Sequence, residues 1–494
     1  MDLDHDACYR ALELRDARFD GRFFTAVKTT GTYCRPVCPA RTPRPENVAF
    51  YPTAAAAQEA GFRPCLRCRP ETAPDKGAWR GTSNTASRAI ALIELGALDE
   101  GSVDALAGRL GLGERQLRRL CRQHLGASPI AVAQTRRVLL AKQLIHETSL
   151  PMAEIAFAAG FGSIRRFNET FMALYGRAPC ALRRRGGPEI PAGPGGEISL
   201  LLRYHLPYDW PGMLECLRLR AVPGIERVKE SCYSRTIQLD DRQGMVSVRP
   251  DAGNALRARI RFPKLSALPG IIARLRRVLD LAADPLPISA HLAKDPALAP
   301  LVAARPGLRV PGAWDGFELA IRAVLGQEIS VTAAVRLAGR LVAGYGEPLA
   351  EPDHELTHVF PRPEVLARAD LTTLGMPRRR AATLSAVAAA VVADPDALCA
   401  SRGLDEAFRW LRSIPGVGER TAHCIAVGQL REPDALPDAD AGLVRALAHL
   451  EGRRQSSREL VARAERWRPW RAYAAQHLWA SLRDATPNPG RRGE

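Results

Sequence analysis

The sequence predicts a multidomain α+β protein, and three observations lead to this fold class. The chain has 494 residues, which is enough for about three or four domains of ordinary size. Alternating apolar and polar positions within 197–285 indicate strands mixed with helices, whereas residues 286–490 carry helical Ala/Leu/Arg patterning. Two stretches rich in Gly, Pro, Ser or Thr, at 77–87 and 186–197, are typical of linkers.

These boundaries divide the chain into modules with different patterns. We predict a small cysteine-rich module at 1–76, a helical module at 85–186, an α+β domain at 197–285 and an all-α domain at 286–490. Apolar residues make up 46% of the chain and charged residues 25%. Such a composition supports packed cores and excludes wholesale disorder.

The charge balance favours a polyanionic partner. The formal net charge is +17, and basic proteins gain binding free energy when phosphates replace condensed counterions. A merely solubilising charge is the alternative. The polar N-terminus and the lack of a long apolar run exclude a secretory signal and a membrane span. We therefore expect a cytoplasmic protein with no membrane partner.

The cysteine-rich module carries two close thiol pairs. Cys34-x3-Cys38 is followed by Cys65-x2-Cys68, out of 11 cysteines in the chain. An odd number of cysteines in a reducing compartment argues against a disulfide framework. Four thiolates in two pairs suit one tetrahedral Zn²⁺. A purely structural zinc is the commoner use of such a set and stays an open alternative from spacing alone.

The sequence around these cysteines resembles the N-terminal domain of the Ada adaptive-response family across residues 8–71. The resemblance implies that Cys34 is both a zinc ligand and the acceptor of a methyl group from a DNA methylphosphotriester. It also implies backbone contacts to DNA by Thr30, Arg41 and Arg63. The Pro-Cys-His-Arg motif that the family uses against O6-methylguanine does not occur in this sequence, so we expect no repair of that base.

An internal repeat defines the helical module. Ala107-x3-Gly111-Leu112-Gly113 recurs as Ala156-x3-Gly160-Phe161-Gly162, and each copy predicts a short helix, a glycine turn and a longer helix. The longer helices expose arginines at 115, 118, 119, 122, 165 and 166. A solvated surface is one interpretation, and DNA reading is the other. The module resembles the AraC-type DNA-binding domain over about 85–185, which implies a double helix-turn-helix.

A dense motif lies in the C-terminal domain. Ile414-Pro-Gly-Val-Gly418 predicts a tight turn between helices, with Gly416 and Gly418 allowing close backbone approach and free N–H groups gripping a phosphate. Asp440 follows in LPDADAGLVRAL. Asp438 is the rival carboxylate, and a helix N-cap is the alternative role for either aspartate. Together the turn and the carboxylate resemble the helix-hairpin-helix base-excision glycosylases.

The resemblance becomes specific over residues 197–485. Segments such as FELAIRAVLGQEISVTAAVRLAGRLVAGYG and YHLPYDWPGML resemble the AlkA-type 3-methyladenine-DNA glycosylase II. This resemblance implies that Asp440 is the catalytic carboxylate, that Trp479 and Tyr473 belong to the base pocket, and that Gln327 contacts DNA. A lone acid suffices for cationic alkylpurines, because the leaving base needs no protonation.

Three residues depart from the family pattern. Glu328 stands where an apolar wedge is usual, and Arg420 and Cys424 replace aromatic pocket residues. The resemblance also implies that lyase-active relatives carry a lysine at the position of Arg420. Because an arginine stays protonated and forms no Schiff base, we expect base release without β-elimination. No four-cysteine run follows the hairpin, so no iron–sulfur cluster is expected.

The functional expectation is a natural fusion of sensor, regulator and repair enzyme. It would act on double-stranded DNA, accept methyl groups at Cys34, activate alkylation-response genes through RNA polymerase and excise alkylated bases. We expect a monomer, one zinc ion and a monovalent cation bound by the hairpin carbonyls. The rivals are a DNA-binding regulator with a non-catalytic C-terminal domain, and a repair enzyme whose first modules only anchor it to DNA.

Overall fold

The structure, a computed structural model, describes residues 4–74, 85–183, 197–398, 404–430, 433–437 and 440–485. Most of the two predicted linkers lies outside these residues. The described end of the first linker is already helical, because a helix begins at Thr85. Within the described residues no helix is long and apolar enough to cross a membrane.

The cysteine-rich module is a small sheet with two flanking helices. Its elements are α1 (His5–Glu13), β1 (Phe24–Val27), β2 (Thr32–Cys34), β3 (Val48–Tyr51), α2 (Ala54–Glu59) and β4 (Arg63–Pro64). The strand order is β3-β1-β2-β4, with β2 and β4 parallel. Only a few side chains, such as Phe24 and Tyr33, form its apolar core. A module of this size needs another stabilising element, such as a bound metal ion, besides its core.

The helical module has the predicted repeat. Its helices are α3 (Thr85–Glu94), α4 (Val103–Arg109), α5 (Glu114–Leu125), α6 (Pro129–Glu147), α7 (Met152–Ala158) and α8 (Ile164–Tyr175). The equivalent residues Leu117 and Phe167 are both fully buried. Helices α5 and α8 both end at a glycine in the left-handed region, with φ +71 at Gly126 and +63 at Gly176. The prediction of paired helix-turn-helix units joined by a long helix is confirmed.

The third module is an antiparallel sheet covered by helices. Its elements are β5 (Ile198–Arg203), α9 (Trp210–Arg220), β6 (Glu226–Lys229), β7 (Cys232–Leu239), β8 (Arg242–Asp251), β9 (Ala255–Arg261) and α10 (Leu268–Val278). The strand order is β5-β9-β8-β7-β6. The α+β prediction for this segment is therefore confirmed.

The described part of the C-terminal domain is helical apart from one hairpin. Its elements are α11 (Pro285–Leu292), α12 (Ala299–Ala304), α13 (Gly316–Leu325), α14 (Val331–Tyr345), β10 (Pro348–Asp353), β11 (Leu356–His358), α15 (Pro363–Arg368), α16 (Arg378–Ala393), α17 (Leu404–Ser413), α18 (Glu419–Leu430), α19 (Ala441–Glu451), α20 (Ser457–Ala464) and α21 (Arg471–Ala485). The β-hairpin was not predicted. It forms because Leu349, Leu356 and Val359 pack on Met245 of the preceding module.

The helix-turn-helix module and the sheet module share one apolar core. Phe167 and Phe171 of α8 belong to the same buried cluster as Leu200 and Leu202 of β5. The side-chain amide of Gln143 on α6 also donates to the carbonyl of Leu201 at 2.8 Å. These two modules are therefore packed against each other and are not connected by the linker alone.

A buried ion pair joins the cysteine-rich module to α6. Lys142 Nζ lies 2.7 Å from Glu71 Oε2, and the two side chains are 0% and 1% exposed. Burial alone would raise the pKa of Glu71, but the charge and hydrogen bond of Lys142 hold it below its ordinary value. The pair therefore stabilises the fold at neutral pH and loses this contribution only when acid protonates Glu71.

Glu71→Gln leaves the Lys142 ammonium buried without a counter-charge. We expect the free energy of unfolding to fall by about 3–5 kcal/mol, since breaking a buried pair costs this much. Urea unfolding followed by circular dichroism measures it. Glu46→Gln in the same module is the matched control, because that carboxylate is 64% exposed. Equal unfolding midpoints for the two variants would contradict a stabilising role for the pair.

Candidate metal centre and candidate DNA-facing cavity

The four predicted cysteines come together at the end of β2. The sulfur atoms of Cys34, Cys38, Cys65 and Cys68 all lie within 4.8 Å of one another. A tetrahedral site with Zn–S bonds of about 2.3 Å separates its sulfurs by about 3.8 Å, so the cluster has the right size and donor chemistry for zinc. Four thiolates at this spacing repel each other strongly, and a divalent cation removes that repulsion.

Backbone geometry holds the sulfurs in place. The amide of Arg35 donates to Cys68 Sγ, and the amide of Arg67 donates to Cys65 Sγ, both at 3.4 Å. The amide of Cys65 also donates to the carbonyl of Tyr33 at 3.0 Å. Each of the four cysteines is buried, with Cys34 only 7% exposed. An alkyl donor must therefore approach Cys34 through a narrow opening.

Arg35 is a functional residue that the sequence reasoning missed. Its guanidinium donates to Asp20, to Thr72 Oγ1 at 2.6 Å and to the carbonyl of Cys68 at 3.3 Å. Burial opposes its charge, but the hydrogen bond to Asp20 holds the pKa of Arg35 above its ordinary value. A fixed positive charge thus sits beside the thiolate cluster. The sequence offered one indication that Arg35 lies at the metal centre, which is that it directly follows Cys34.

The three predicted DNA contacts of this module lie near the cluster. Thr30 and Arg41 are exposed, and Arg63 is partly exposed. Arg63 of β4 pairs with Thr32 of β2, and β2 is the strand that ends at Cys34. The Thr30 hydroxyl is hydrogen-bonded to that of Thr32 at 2.7 Å. The DNA contacts themselves remain predictions.

The arginines of the helix-turn-helix units divide into two groups. Arg118 donates to Glu114 at 2.8 Å and Arg165 to Glu169 at 2.7 Å, within their own helices. The arginines at 115, 119, 122 and 166 are exposed on α5 and α8, and Arg165 is exposed as well in spite of its ion pair. These exposed residues are the ones best placed to meet a phosphate backbone or base edges.

The predicted hairpin connects α17 and α18. Gly416 has φ +85, and any Cβ there would clash with the Thr383 hydroxyl, so this position requires glycine. Around Gly418 the space is open, which leaves room for another backbone. The hairpin therefore has the packing constraint and the accessible face that a phosphate grip needs.

Gln327 is engaged inside the protein. Its side-chain amide donates to the carbonyl of Gly416 at 3.2 Å and to Thr421 Oγ1 at 2.9 Å. The residue thus fastens the hairpin, and its direct contact with DNA remains a prediction. The neighbouring Glu328 is exposed and has φ +57, a strained conformation for a residue with a Cβ.

A cavity of about 920 Å³ lies between the sheet module and the hairpin. Its described lining includes Glu328, Gly416, Arg420, Cys424 and Trp479. The volume is in the range of small-molecule and cofactor sites. Sequence-distant residues therefore meet at one place, as the resemblance implied for the base pocket.

Asp440 has two oxygens with different surroundings. Oδ1 accepts from the Leu443 amide at 3.0 Å, as the N-cap of α19, and from Trp479 Nε1 at 3.2 Å. Oδ2 lies 3.9 Å from Arg420 Nη2, and the side chain is 25% exposed. The N-cap role and a catalytic role are thus compatible, because they use different oxygens. The rival Asp438 lies outside the described residues.

Tyr473 lies in the core, and its place in the base pocket stays a prediction. This residue is 2% exposed within an apolar cluster, and its hydroxyl donates to Asp280 at 2.6 Å. It is not among the described residues that line the cavity. Trp479 does line it. Trp467 is a core residue, as expected, with its Nε1 donating to Asp295 at 2.8 Å.

A buried ionic network in the wall of the cavity was also missed. Arg235 donates to Glu318 at 2.7 Å, and Arg322 lies 2.9 Å from Glu226 and 3.0 Å from Glu318. The hydroxyl of Tyr233 adds a 2.7 Å bond to Glu226. These contacts tie β6 and β7 to α13. Glu318 and Arg322 are four residues apart on one helix, but the contacts of α13 with β6 and β7 join residues that lie far apart in the chain and leave no local sequence pattern.

Comparison with known protein families gives matches along most of the chain. The families are the metal binding domain of Ada (7–71), a helix-turn-helix domain (106–185), the AlkA N-terminal domain (199–315) and the HhH-GPD superfamily of base excision DNA repair proteins (321–472). Their order agrees with the order of the modules predicted from the sequence.

Some individual proteins resemble the whole chain, and others resemble one part of it. The probable bifunctional transcriptional activator/DNA repair enzyme AlkA of Mycobacterium tuberculosis is 44% identical, covering 98% of this chain and 97% of its own. DNA-3-methyladenine glycosylase 2 of Escherichia coli is 33% identical over 56% of this chain and 95% of its own. The solved 3-methyladenine DNA-glycosylase of Archaeoglobus fulgidus shares the fold, with a TM-score of 0.53 and 23% identity over 58% of this chain and 99% of its own.

Proposed function

Because this chain belongs to the family of bifunctional transcriptional activator/DNA repair enzymes, we propose that it joins an alkylbase DNA glycosylase to a methyl-accepting regulator. The glycosylase hydrolyses the N-glycosidic bond of alkylated bases such as 3-methyladenine and 7-methylguanine. The observation that carries this assignment is the place of Asp440. Its Oδ1 is fixed by the helix cap and by Trp479, and its Oδ2 lies 3.9 Å from Arg420 Nη2. Trp479 and Arg420 both line the cavity, so the carboxylate adjoins two residues of the cavity wall.

The reaction requires the damaged nucleotide to leave the duplex. The base enters the cavity against Trp479, and the hairpin around Gly416 and Gly418 holds the adjoining backbone through its N–H groups. Asp440 then stabilises the positive charge that develops on the sugar and orients a water for attack on C1′. A cationic alkylpurine departs as a neutral base, so no acid is needed on that side.

A monovalent cation at the hairpin carbonyls belongs to the same proposal. The chemistry of main-chain oxygen donors in this turn supports it. Such an ion would help the turn to hold a DNA phosphate. We also propose that the protein acts on double-stranded DNA in the cytoplasm and that it is a monomer.

The N-terminal module supplies the second activity. Bound Zn²⁺ would keep the sulfurs of all four cysteines as thiolates at neutral pH. The Cys34 sulfur attacks the methyl carbon of a methylphosphotriester, the methyl–oxygen bond breaks, and an ordinary phosphodiester leaves. The product is S-methylcysteine, so each molecule reacts once. Loss of one negative charge at the cluster then weakens its repulsion of DNA phosphates.

This change in charge gives the regulator its signal. The methylated module and the exposed arginines of α5 and α8 bind promoter DNA together, which recruits RNA polymerase to alkylation-response genes. The packing of the cysteine-rich module on α6 through Lys142 and Glu71 supports joint binding. The two modules then meet the same stretch of DNA in one fixed arrangement.

Methyl transfer predicts one modified residue. After incubation of the zinc-loaded protein with DNA carrying methylphosphotriesters, peptide mass spectrometry should find a single added methyl at Cys34, and Cys34→Ser should abolish it. Cys180→Ser is the matched control, because Cys180 is an exposed thiol outside the cluster. A methyl group on another cysteine, or none on the wild-type protein, would sink the assignment.

Asp440→Asn tests the glycosylase. Asparagine keeps an oxygen for the α19 cap but loses the charge, so we expect folded protein whose release of 3-methyladenine and 7-methylguanine falls by about 10²-fold or more. The measurement is free base released from duplex DNA that contains each lesion. Asp209→Asn, which alters the N-cap of α9, is the control. Undiminished release by Asp440→Asn would assign the chemistry to another residue.

The chemistry of Arg420 predicts a product with intact strands. A protonated guanidinium forms no Schiff base with the abasic sugar. Denaturing gels should therefore show strand breaks only after alkali treatment of the reaction product. Breaks without alkali, together with borohydride trapping of a protein–DNA adduct, would reveal a lyase and contradict this view.

A further inference from the structure

The guanidinium of Arg420 lies where an extruded base must pass. Its Nη2 is 3.9 Å from Asp440 Oδ2, its side chain is 58% exposed, and it lines the cavity together with Trp479. The proposed reaction sets the sugar C1′ against Asp440, and the base is one bond away from that carbon. A guanidinium that reaches the carboxylate therefore also reaches the base.

The charge of the cavity wall is positive. Six of its described lining residues are arginines and four are acidic. Glu226 and Glu318 are matched by Arg322 and Arg235 at 2.9 and 2.7 Å. Asp315 is engaged as the N-cap of α13, with its Oδ1 accepting from two backbone amides. Glu328 is the fourth acidic residue, and the Asp440 carboxylate lies 3.9 Å from Arg420. Arg420 therefore offsets part of the attraction that Asp440 exerts on a cationic base.

Aromatic faces, which attract cations, are scarce in the described lining. Tyr233 and Trp314 are 1% and 4% exposed, and the guanidinium of Arg235 already lies 4.9 Å from the centre of the Trp314 ring. Only Trp479 is partly exposed among the aromatic residues described there. Cys424, one turn after Arg420 on α18, adds a small side chain that leaves room above the base.

We infer that Arg420 sets the base selectivity of the cavity. It raises the release of uncharged damaged bases that present a carbonyl oxygen or ring nitrogen as hydrogen-bond acceptor, relative to the release of cationic N-alkylated purines, which remain substrates. This inference rests on the proposed glycosylase function of Asp440 and narrows the substrate class of that site.

The chemistry of an uncharged base gives Arg420 a use that a cationic base does not. When the C1′–N bond breaks, the electron pair stays on the base, which develops negative charge. Arg420 donates a hydrogen bond to the acceptor edge and stabilises that charge. The water oxygen bonds to C1′, and its released proton neutralises the base. The products are an abasic site and a neutral free base.

Two matched duplexes test the inference. One carries a single 7-methylguanine, which is cationic, and the other a single hypoxanthine, which is uncharged and has a carbonyl acceptor. Single-turnover base release is measured for wild type, Arg420→Gln and Arg454→Gln. Arg454 is an exposed arginine in the turn after α19 and does not line the cavity. Arg454→Gln should match wild type on both duplexes.

For Arg420→Gln we expect opposite changes, with hypoxanthine release falling and 7-methylguanine release rising. The ratio of the two rates should drop by about tenfold, because a unit charge a few ångströms away is removed. A ratio that drops less than about threefold, including a parallel loss of both rates, would show that Arg420 acts only on the fold or on Asp440, and would overturn the inference. Release of neither base by wild type would instead refute the proposed function.

Discussion

One continuous apolar core determines how the rest of this molecule is arranged. It runs from α8, through Phe167 and Phe171, into the five-stranded sheet at Leu200 and Leu202. Because protein cores are packed as densely as organic crystals, the helix-turn-helix units cannot swing independently of the sheet. The cysteine-rich module is then fixed to the same body by the buried pair of Lys142 with Glu71. A chain of distinct modules thus folds around shared contacts.

A series of contacts also connects the sheet module to the hairpin that carries Gly416. The ion network of Glu226 and Arg235 holds α13 against β6 and β7. The chain after α13 then places Gln327, whose amide fastens the carbonyl of Gly416. The sheet module contributes side chains to the cavity wall and sets the position of the hairpin. Truncating the sheet would therefore remove part of the site as well as a neighbouring domain.

Local patterns predicted much of this structure, and long-range contacts explain the rest. The cysteine spacing, the repeated glycine turns and the hairpin motif depend on residues close in sequence, and each was predicted. The hydrogen bond of Tyr473 to Asp280 was not predicted, because the two residues lie far apart in the chain. The β10–β11 hairpin was not predicted, because its local sequence does not alternate between apolar and polar residues. Its packing on Met245 is a contact between residues far apart in the chain. The hydrogen bond of Gln327 to the hairpin is likewise a tertiary contact, which no local sequence pattern indicates.

The two candidate sites place an arginine beside an anion, and the difference between the arginines matters. Arg35 is 14% exposed and bonded to Asp20, Thr72 and the Cys68 carbonyl, so it is a fixed charge beside the thiolates. Arg420 is 58% exposed, and its distance of 3.9 Å from Asp440 is longer than a hydrogen bond. The carboxylate of Asp20 offsets the charge of Arg35, so these bonds position the guanidinium beside the thiolates and add little net charge there. The exposed guanidinium of Arg420 can therefore meet a base, as the inferred selectivity requires, without first breaking a hydrogen bond to the carboxylate.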